Sequence, residues 1–471
     1  MNSKIMLITY ANSLGRNLRE LAQVLDRWFT EALGGVHILP FFPSSADRGF
    51  APVRYDTVDL QFGSFDDIAA LGKRYYLMFD FMLNHISRQS PFFIDFQQKK
   101  DASAYRDFFL RYAGFWEQGE PGPGQADMIY KRKDREPSIE ITFADGSREK
   151  LWCTFGDEQV DINMATPEVQ RFIRDTLEDM CRHGASFIRL DAFAYAVKKA
   201  GTNCFFVEPD IWMLLDDIKT ILEPFGVEFL PEIHEHYSIQ MKLAERGYWI
   251  YDFALPVLVL HALYNHSGVY LKQWLDMSPM KQFTTLDTHD GIGIVDVKGL
   301  LPDAEIQKVQ EQMYNRGANV KKVYSSAAYN NLDIYQVNTT FYSALNNNDN
   351  AYLLARAIQF FAPGIPQVYY VGLLAGVNDL ELMEHTKNGR DINRHYYSLE
   401  EIEDQLKRPV VEKLRQLMIL RNTHQAFDLQ GSISVETGGD RLTIRRSMGK
   451  AAISLEANLR DYHFRIIDCT R

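Results

Sequence analysis

What the sequence lacks narrows the field first. No apolar run is long enough to cross a bilayer. The longest, Phe253 to Tyr264, contains a Pro and a His and falls short of the roughly 20 residues a spanning helix needs. Cysteine is scarce: Cys153, Cys181, Cys204 and Cys469 are scattered with no paired spacing. That pattern excludes a disulfide framework and reads as free thiols in a reducing compartment. The first residues run straight into an apolar strand without the layout of a signal peptide, so a cytoplasmic protein with no membrane partner is expected. Excess positive charge is missing too. The net charge of −11 argues against a nucleic-acid or anionic-membrane surface and leaves small-molecule partners. There is no internal repeat and no low-complexity tract.

What is present is ordinary globular material: 471 residues, 46% of them apolar and 13% aromatic. Short apolar runs alternate with amphipathic stretches, the pattern of a parallel sheet with crossover helices. Strands are expected at Lys4–Tyr10, Gly35–Leu39, Tyr76–Asp80, Phe187–Asp191, Val227–Glu232, Trp249–Phe253, Phe283–Leu286 and Gln367–Tyr370. Eight such units predict an α/β fold, a (β/α)8 barrel, with two inserted subdomains at its catalytic face. The barrel is expected over residues 1–85, 167–290 and 351–424, with insertions at 86–166 and 291–350. From 425 to 471 the alternation has period two with Gly-Gly turns, which predicts a small C-terminal antiparallel β-domain.

Phe187-Ile-Arg-Leu-Asp191 carries two charges where a dry core would have none. Side chains two apart on a strand share a face, so Arg189 and Asp191 meet at the strand's carboxyl end. That pair alone fits a loop brace as well as a working site. Other strand ends supply Asp80, Asn84 and His85, then Glu232 and His234, then Asp287, His289 and Asp290. Barrel enzymes work at that face, and uncompensated buried carboxylates each cost several kcal/mol. Converging carboxylates suit glycosyl transfer: one protonates the leaving oxygen while another attacks the anomeric carbon.

Asp80-Phe-Met-Leu-Asn-His85, Phe187-Ile-Arg-Leu-Asp191, Pro231-Glu-Ile-His234 and Leu286-Asp-Thr-His-Asp290 resemble, in order, the four conserved regions of the α-amylase family. Gly34–Pro43, Tyr251–Pro256, Asn331–Asn338, Pro363–Gly372 and Gly389–Tyr397 extend the likeness to phosphorolytic members of that family. The resemblance implies roles. Asp191 would be the nucleophile, Glu232 the general acid and base, and Asp290 the stabiliser of the oxocarbenium-like transition state. Arg189 would hold Asp191 ionised and lower its pKa, whereas Glu232 needs a raised pKa to carry a proton. His85 and His289 would bond the glucosyl ring, and Asp47 and Arg394 would clamp its far end. Phe50, Phe155, Tyr195 and Phe205 would form the walls. Gln159, His234, Asp333, Tyr335 and Gln336 complete the expected sugar-binding set. The reaction implied is retaining transfer of glucose from sucrose to inorganic phosphate, giving α-D-glucose 1-phosphate and fructose, with no cofactor.

Glu232, His234 and His236 alternate along one strand and invite a metal reading, which the carboxylate assignments displace, so no metal is expected. Calcium is not expected either, because Ala194 and Tyr195 stand where many amylases carry a Lys-His pair. Asp287 reads as a brace, and His37 as a satisfied core histidine. Arg132, Lys133 and Arg135 are candidate phosphate ligands, although such a run is ordinarily a solvated loop. Relatives acting on sucrose 6-phosphate tend to carry a His where this chain has Tyr335, a neutral donor, so the unphosphorylated sugar is favoured. Phosphorolysis of sucrose 6-phosphate or glucosylglycerol-type substrates, hydrolysis or transglucosylation, and a non-catalytic amylase-like scaffold stay open.

Overall fold

The computed structural model describes residues 3–132, 135–319 and 336–470. Eight strands form one parallel sheet: β1 (Met6–Thr9), β2 (Gly35–Ile38), β3 (Tyr76–Met82), β4 (Ala185–Asp191), β5 (Glu228–Pro231), β6 (Ile250–Asp252), β7 (Gln282–Thr284) and β8 (Ile365–Tyr369). Neighbours in the chain are neighbours in the sheet, and β8 returns to β1 with Met6 opposite Gln367. Among the described residues the ring of backbone pairing is open only between β5 and β6. The expected barrel is the observed one.

The crossover helices follow from local chemistry. Pro167–Arg182 begins with Pro at its first turn and buries Val169, Ile173, Leu177 and Met180, one stripe at helical spacing. Leu18–Trp28 starts where the Asn17 side chain accepts from the Arg19 and Glu20 amides. Helices Tyr237–Glu245, Val269–Met277 and Leu399–Leu406 are additional to the eight expected units. The last of these had a readable signal, a capping box of Ser398 and Glu401.

The barrel's lower interior is plugged by Met6, Met78, Phe187, Leu230, Tyr251, Phe283 and Ile365. Burying each large side chain of this kind contributes about 1.5–3 kcal/mol. One pleat further along the same strand faces, Met78 gives way to Asp80 and Phe187 to Arg189. The apolar plug thus ends where the chemistry begins.

The first insertion contains a hairpin, Ser138–Thr142 with Arg148–Trp152. It returns to the barrel as Gln159–Asp161, antiparallel to His85–Ser87. At the carboxyl end, β9 (Ser432–Gly438), β10 (Arg441–Met448), β11 (Ala451–Asn458) and β12 (Phe464–Asp468) form an antiparallel meander. Arg446 of β10 donates to the Ala362 carbonyl at 2.8 Å and Arg421 to the Gly364 carbonyl at 3.0 Å. Both guanidiniums lie near the Phe427 ring, at 5.8 and 4.9 Å, which docks the meander onto the barrel.

Asp252, at the end of β6, accepts from Trp274 Nε1 and the Leu255 amide at 3.0 Å. Burial nonetheless pushes its pKa up to about 6. The native state therefore keeps a proton that the unfolded chain sheds from about pH 4, so stability from this group falls as pH rises from about 4 to about 6. Asp252→Asn is expected to flatten that part of the profile, removing a penalty of about 3 kcal/mol at neutral pH. Urea denaturation at pH 4.5 and pH 7 reads it; an unchanged difference between the two would refute it.

Candidate active site

A column of charge rises through the barrel. His37 Nε2 lies 2.7 Å from Asp80 Oδ2, and Asp80 Oδ1 accepts from Arg189 Nη1. The same Arg189 nitrogen reaches Asp191 Oδ1 at 3.0 Å, and Nη2 lies 3.6 Å from Glu232 Oε1. One guanidinium therefore serves three carboxylates. Burial works against the charge on Asp80, but His37 and Arg189 outweigh it and hold Asp80 below the usual range. Asp191 goes the other way. Burial pushes it well up, Glu232, Asp80 and Asp290 add to that, and Arg189 offsets only part. Arg189 does lower Asp191, as expected, but it does not hold the net pKa down: burial and the other carboxylates outweigh a cation that Asp80 holds as well. His37, expected as a core histidine, is the foot of this column.

Glu232 stands one residue past β5. Its Oε2 accepts from the Ala192 amide at 3.1 Å, and its Oε1 lies 3.3 Å from His234 Nε2. His234 turns its other nitrogen to Asp296, 3.3 Å away, and stacks on Phe253 with ring centroids 3.9 Å apart. Burial opposes protonation of His234, but Asp296 prevails and raises its pKa.

The opposite wall is built on Asp290. Arg390 Nη1 lies 3.0 Å from Asp290 Oδ1 and 3.3 Å from Asp47 Oδ2. Burial opposes the Asp290 charge, yet His289, Arg390 and Arg394 overcome it and hold the carboxyl far below its usual range. Burial drives His289 well down, leaving it a neutral hydrogen-bonding ring stacked 4.7 Å from Phe50. Arg394 is fully buried behind this wall, donating to the His289 carbonyl at 2.8 Å and reaching Asp47 at 3.4 Å. Of these two arginines, Arg390 is the one that faces the cavity. Sequence reasoning missed it, although it lies in the Gly389–Tyr397 stretch already singled out.

Asp47 sits in an unusual turn. Asp47 and Arg48 have φ of 49° and 48°, and Gly49 follows at 111°. Left-handed backbone at a residue with a side chain costs about 1–3 kcal/mol. At Gly49 a Cβ would meet the Pro40 carbonyl at 2.6 Å, so only glycine fits there. The turn delivers Phe50, whose carbonyl accepts from His85 Nε2 at 2.9 Å and Gln159 Nε2 at 2.8 Å. Burial holds the His85 pKa down.

Asp47, Phe50, His85, Phe155, Gln159, Asp191, Tyr195, Phe205, Glu232, His234, His289, Asp290 and Arg390 surround one cavity at the barrel mouth. Arg132 joins them from the first insertion, its guanidinium 5.7 Å from the Tyr195 ring. Tyr195 packs edge-on against Phe155 and Phe205 at 5.2 and 4.9 Å.

Beneath the wall lies a buried ammonium. Lys198 Nζ touches Asn84 Oδ1 at 2.6 Å, Asp161 Oδ2 at 2.7 Å and the Tyr195 carbonyl at 2.7 Å. Its side chain is 4% exposed and that of Asp161 0%. This cation ties the strand end after β3, the returning insertion strand and the turn after β4 together. Nothing in the sequence pattern marked Lys198, because its side-chain partners Asn84 and Asp161 lie far away in the chain.

Several expected residues are not brought to the cavity. Arg135 pairs with Asp157 on the surface, both side chains more than half exposed. Gln336 pairs with Gly293 in a two-residue bridge and is not among the residues that surround the cavity. Lys133, Asp333 and Tyr335 lie outside the described residues. His236 caps helix Tyr237–Glu245 instead of joining Glu232 and His234, so the metal set weighed from sequence does not form. Glu232, His234 and Asp290 do converge, with ligand atoms within 4.8 Å of one another. Arg189 and Arg390, however, already hold two of these carboxylates, and a metal cation would have to displace them. Asp287 is a brace, as expected, paired with buried Arg356 at 2.7 Å.

The profile of the alpha-amylase catalytic domain matches residues 31–414. Over 469 residues the chain is 56% identical to a sucrose phosphorylase of Streptococcus mutans, covering 99% of this chain and 98% of that protein. A glucosylglycerol phosphorylase of Marinobacter adhaerens is 45% identical over 429 residues, 91% of this chain and 89% of that one. The crystal structure of sucrose 6F-phosphate phosphorylase from Thermoanaerobacter thermosaccharolyticum superposes with a TM-score of 0.94 at 42% identity, covering 99% of this chain and 96% of that chain. With matching motifs, matching fold and near-complete coverage, the chain belongs to the alpha-amylase family.

Proposed function

We propose that the protein is a sucrose phosphorylase, converting sucrose and inorganic phosphate to α-D-glucose 1-phosphate and fructose with retention of configuration. The observation that carries this reading is identity of 56%, spread over nearly the whole chain, to a sucrose phosphorylase. The cavity supports it: its far wall is closed by Asp47, Asp290 and Arg390, which suits one terminal sugar ring rather than a polymer.

In the first half-reaction an Asp191 carboxylate oxygen attacks the anomeric carbon. The bond from that carbon to the fructosyl oxygen breaks, and Glu232 gives its proton to the departing oxygen. Before attack the Asp191–Glu232 pair must hold one proton on the Glu232 side. Arg189, in contact with both, favours the charge that Asp191 then carries. Asp290, held ionised, and neutral His289 take the ring hydroxyls. In the second half-reaction a phosphate oxygen attacks the same carbon, the ester bond to Asp191 breaks, and Glu232 accepts any proton released. Arg132 is the cation best placed to draw phosphate into a mouth lined by carboxylates.

Incubation with sucrose and phosphate should yield glucose 1-phosphate as the main product, with free glucose minor. Free glucose as the main product in saturating phosphate would favour the hydrolase reading instead. Likeness to phosphorylases of sucrose 6F-phosphate and glucosylglycerol makes a donor comparison the second test. Sucrose is expected to have a higher kcat/KM than sucrose 6-phosphate or glucosylglycerol, and a reversed ranking would reassign the substrate.

A further inference from the structure

We propose that Arg48 is a positioning residue for the glucosyl pocket: it locks the left-handed turn that aims Asp47 at the sugar. The inference rests on the functional reading above. It concerns a residue that does not line the cavity.

Three residues in a row, Asp47, Arg48 and Gly49, have positive φ. Only the third is a glycine, so two side-chain-bearing residues hold a conformation they do not favour on their own. Such strain persists only where the surroundings over-determine it. The backbone bonds inside the turn are weak candidates, Gly49 N to Ala46 O and Phe50 N to Asp47 O both being 3.3 Å, and the shorter Ser45 N to Ala51 O (3.0 Å) and Val53 N to Pro43 O (2.7 Å) bonds lie at the base of the loop. The side chain of Arg48 is the stronger one. Its guanidinium lies over the Tyr10 ring at 3.9 Å and the Tyr396 ring at 4.3 Å. It also donates to the Arg394 carbonyl and to Ser13 Oγ, each at 3.0 Å.

Those contacts have a geometric consequence. Arg48 ties the turn after β2 to β1 through Tyr10 and to the Gly389–Tyr397 segment through Arg394 and Tyr396. That segment supplies Arg390 and Arg394, the two cations bound to Asp47. The carboxylate, its cations and the Phe50 ring are therefore held in one register by a residue that touches no sugar. A planar guanidinium suits this place because it stacks on rings while its edge donates.

The test uses the intact protein. Arg48→Ala is expected to raise KM for sucrose and for glucose 1-phosphate by the same factor, about ten-fold or more, with a smaller change in kcat. The glucosyl ring is all that those two donors share. Arg48→Gly keeps the positive φ without steric cost and is expected to lose less than Arg48→Ala. Tyr396→Ala removes one ring at a site 43% exposed and should fold regardless; it is expected to move both KM values in the same direction. Binding of D-glucose, measured by calorimetry, should weaken in parallel. KM values within two-fold of wild type in Arg48→Ala and Tyr396→Ala, with only a lowered melting temperature, would overturn the inference. If wild type makes no glucose 1-phosphate yet binds glucose, and Arg48→Ala binds it more weakly, the functional reading fails and the inference stands.

Discussion

Asp191→Asn is expected to abolish turnover, lowering kcat by about four orders of magnitude or more, which corresponds to at least about 5 kcal/mol of transition-state stabilisation. The amide has no lone pair basic enough to capture the anomeric carbon, so no covalent glucosyl-enzyme forms. The architecture should survive, because Asp80 keeps its own bond to Arg189. Burial and the surrounding carboxylates already disfavour a charge at Asp191, so its removal relieves a strained electrostatic site. The expected signature is therefore lost activity with a melting temperature equal to or above that of wild type. Two measurements check it: glucose 1-phosphate release, and intact mass after an acid quench with sucrose. A variant that retains a tenth of wild-type turnover, or still gains the mass of a glucosyl group, removes Asp191 from the nucleophile's role.

Lys198→Met is expected to have the largest effect on stability. The thioether fills most of the space but leaves Asp161 without its cation, at a site fully removed from water. Burial opposes the charge on Asp161, and Lys198 is what chiefly holds its pKa down, with Thr154 assisting. Breaking a buried pair by deleting one partner costs about 3–5 kcal/mol. The loss should be read as a lowered urea midpoint. Paired replacement of Lys198 by Met and Asp161 by Asn should recover a good part of it, since both charges then leave together. An unchanged midpoint in Lys198→Met would show that solvent or another group already balances Asp161.

Much of this was legible in the chain because barrel strands are short and their ends are close to the chemistry. Asp80, Asp191, Glu232 and Asp290 could be read as converging from strand ends in a barrel, and the family resemblance then implied roles for Asp191, Glu232 and Asp290. What stayed hidden has physical causes. Lys198 is a lone lysine in a polar stretch, and its three oxygen partners come from elements up to 114 residues away. Arg390 and Arg394 sit four apart in one short segment, and only tertiary placement decides which of them faces the cavity. Arg132 and Arg135 belong to one basic run, yet one reaches the mouth and the other pairs with Asp157; a charge run carries no information about direction. The direction of the Asp191 shift was misjudged because sequence shows one arginine beside one aspartate. It does not show the three carboxylates that share that arginine.

The opening in the barrel between β5 and β6 bears on the setting of Glu232, the proposed proton donor. On one side the chain around Glu232 is laced by backbone, with its own amide donating to the Leu190 carbonyl at 3.0 Å. On the other side the bridge is aromatic: His234, beyond β5, lies flat on Phe253, beyond β6. Side chains close the split: besides that stack, Trp249 Nε1 donates to Glu228 Oε2 at 3.1 Å and Phe229 packs against Tyr248 at 5.6 Å. A backbone ladder fixes strand register bond by bond, which side-chain contacts of this kind do not. Among the described residues, Glu232 stands at the one seam of the barrel that no backbone ladder spans. On the proposed mechanism, the carboxyl group that would hand a proton to departing fructose and then meet phosphate thus sits where side chains alone close the wall.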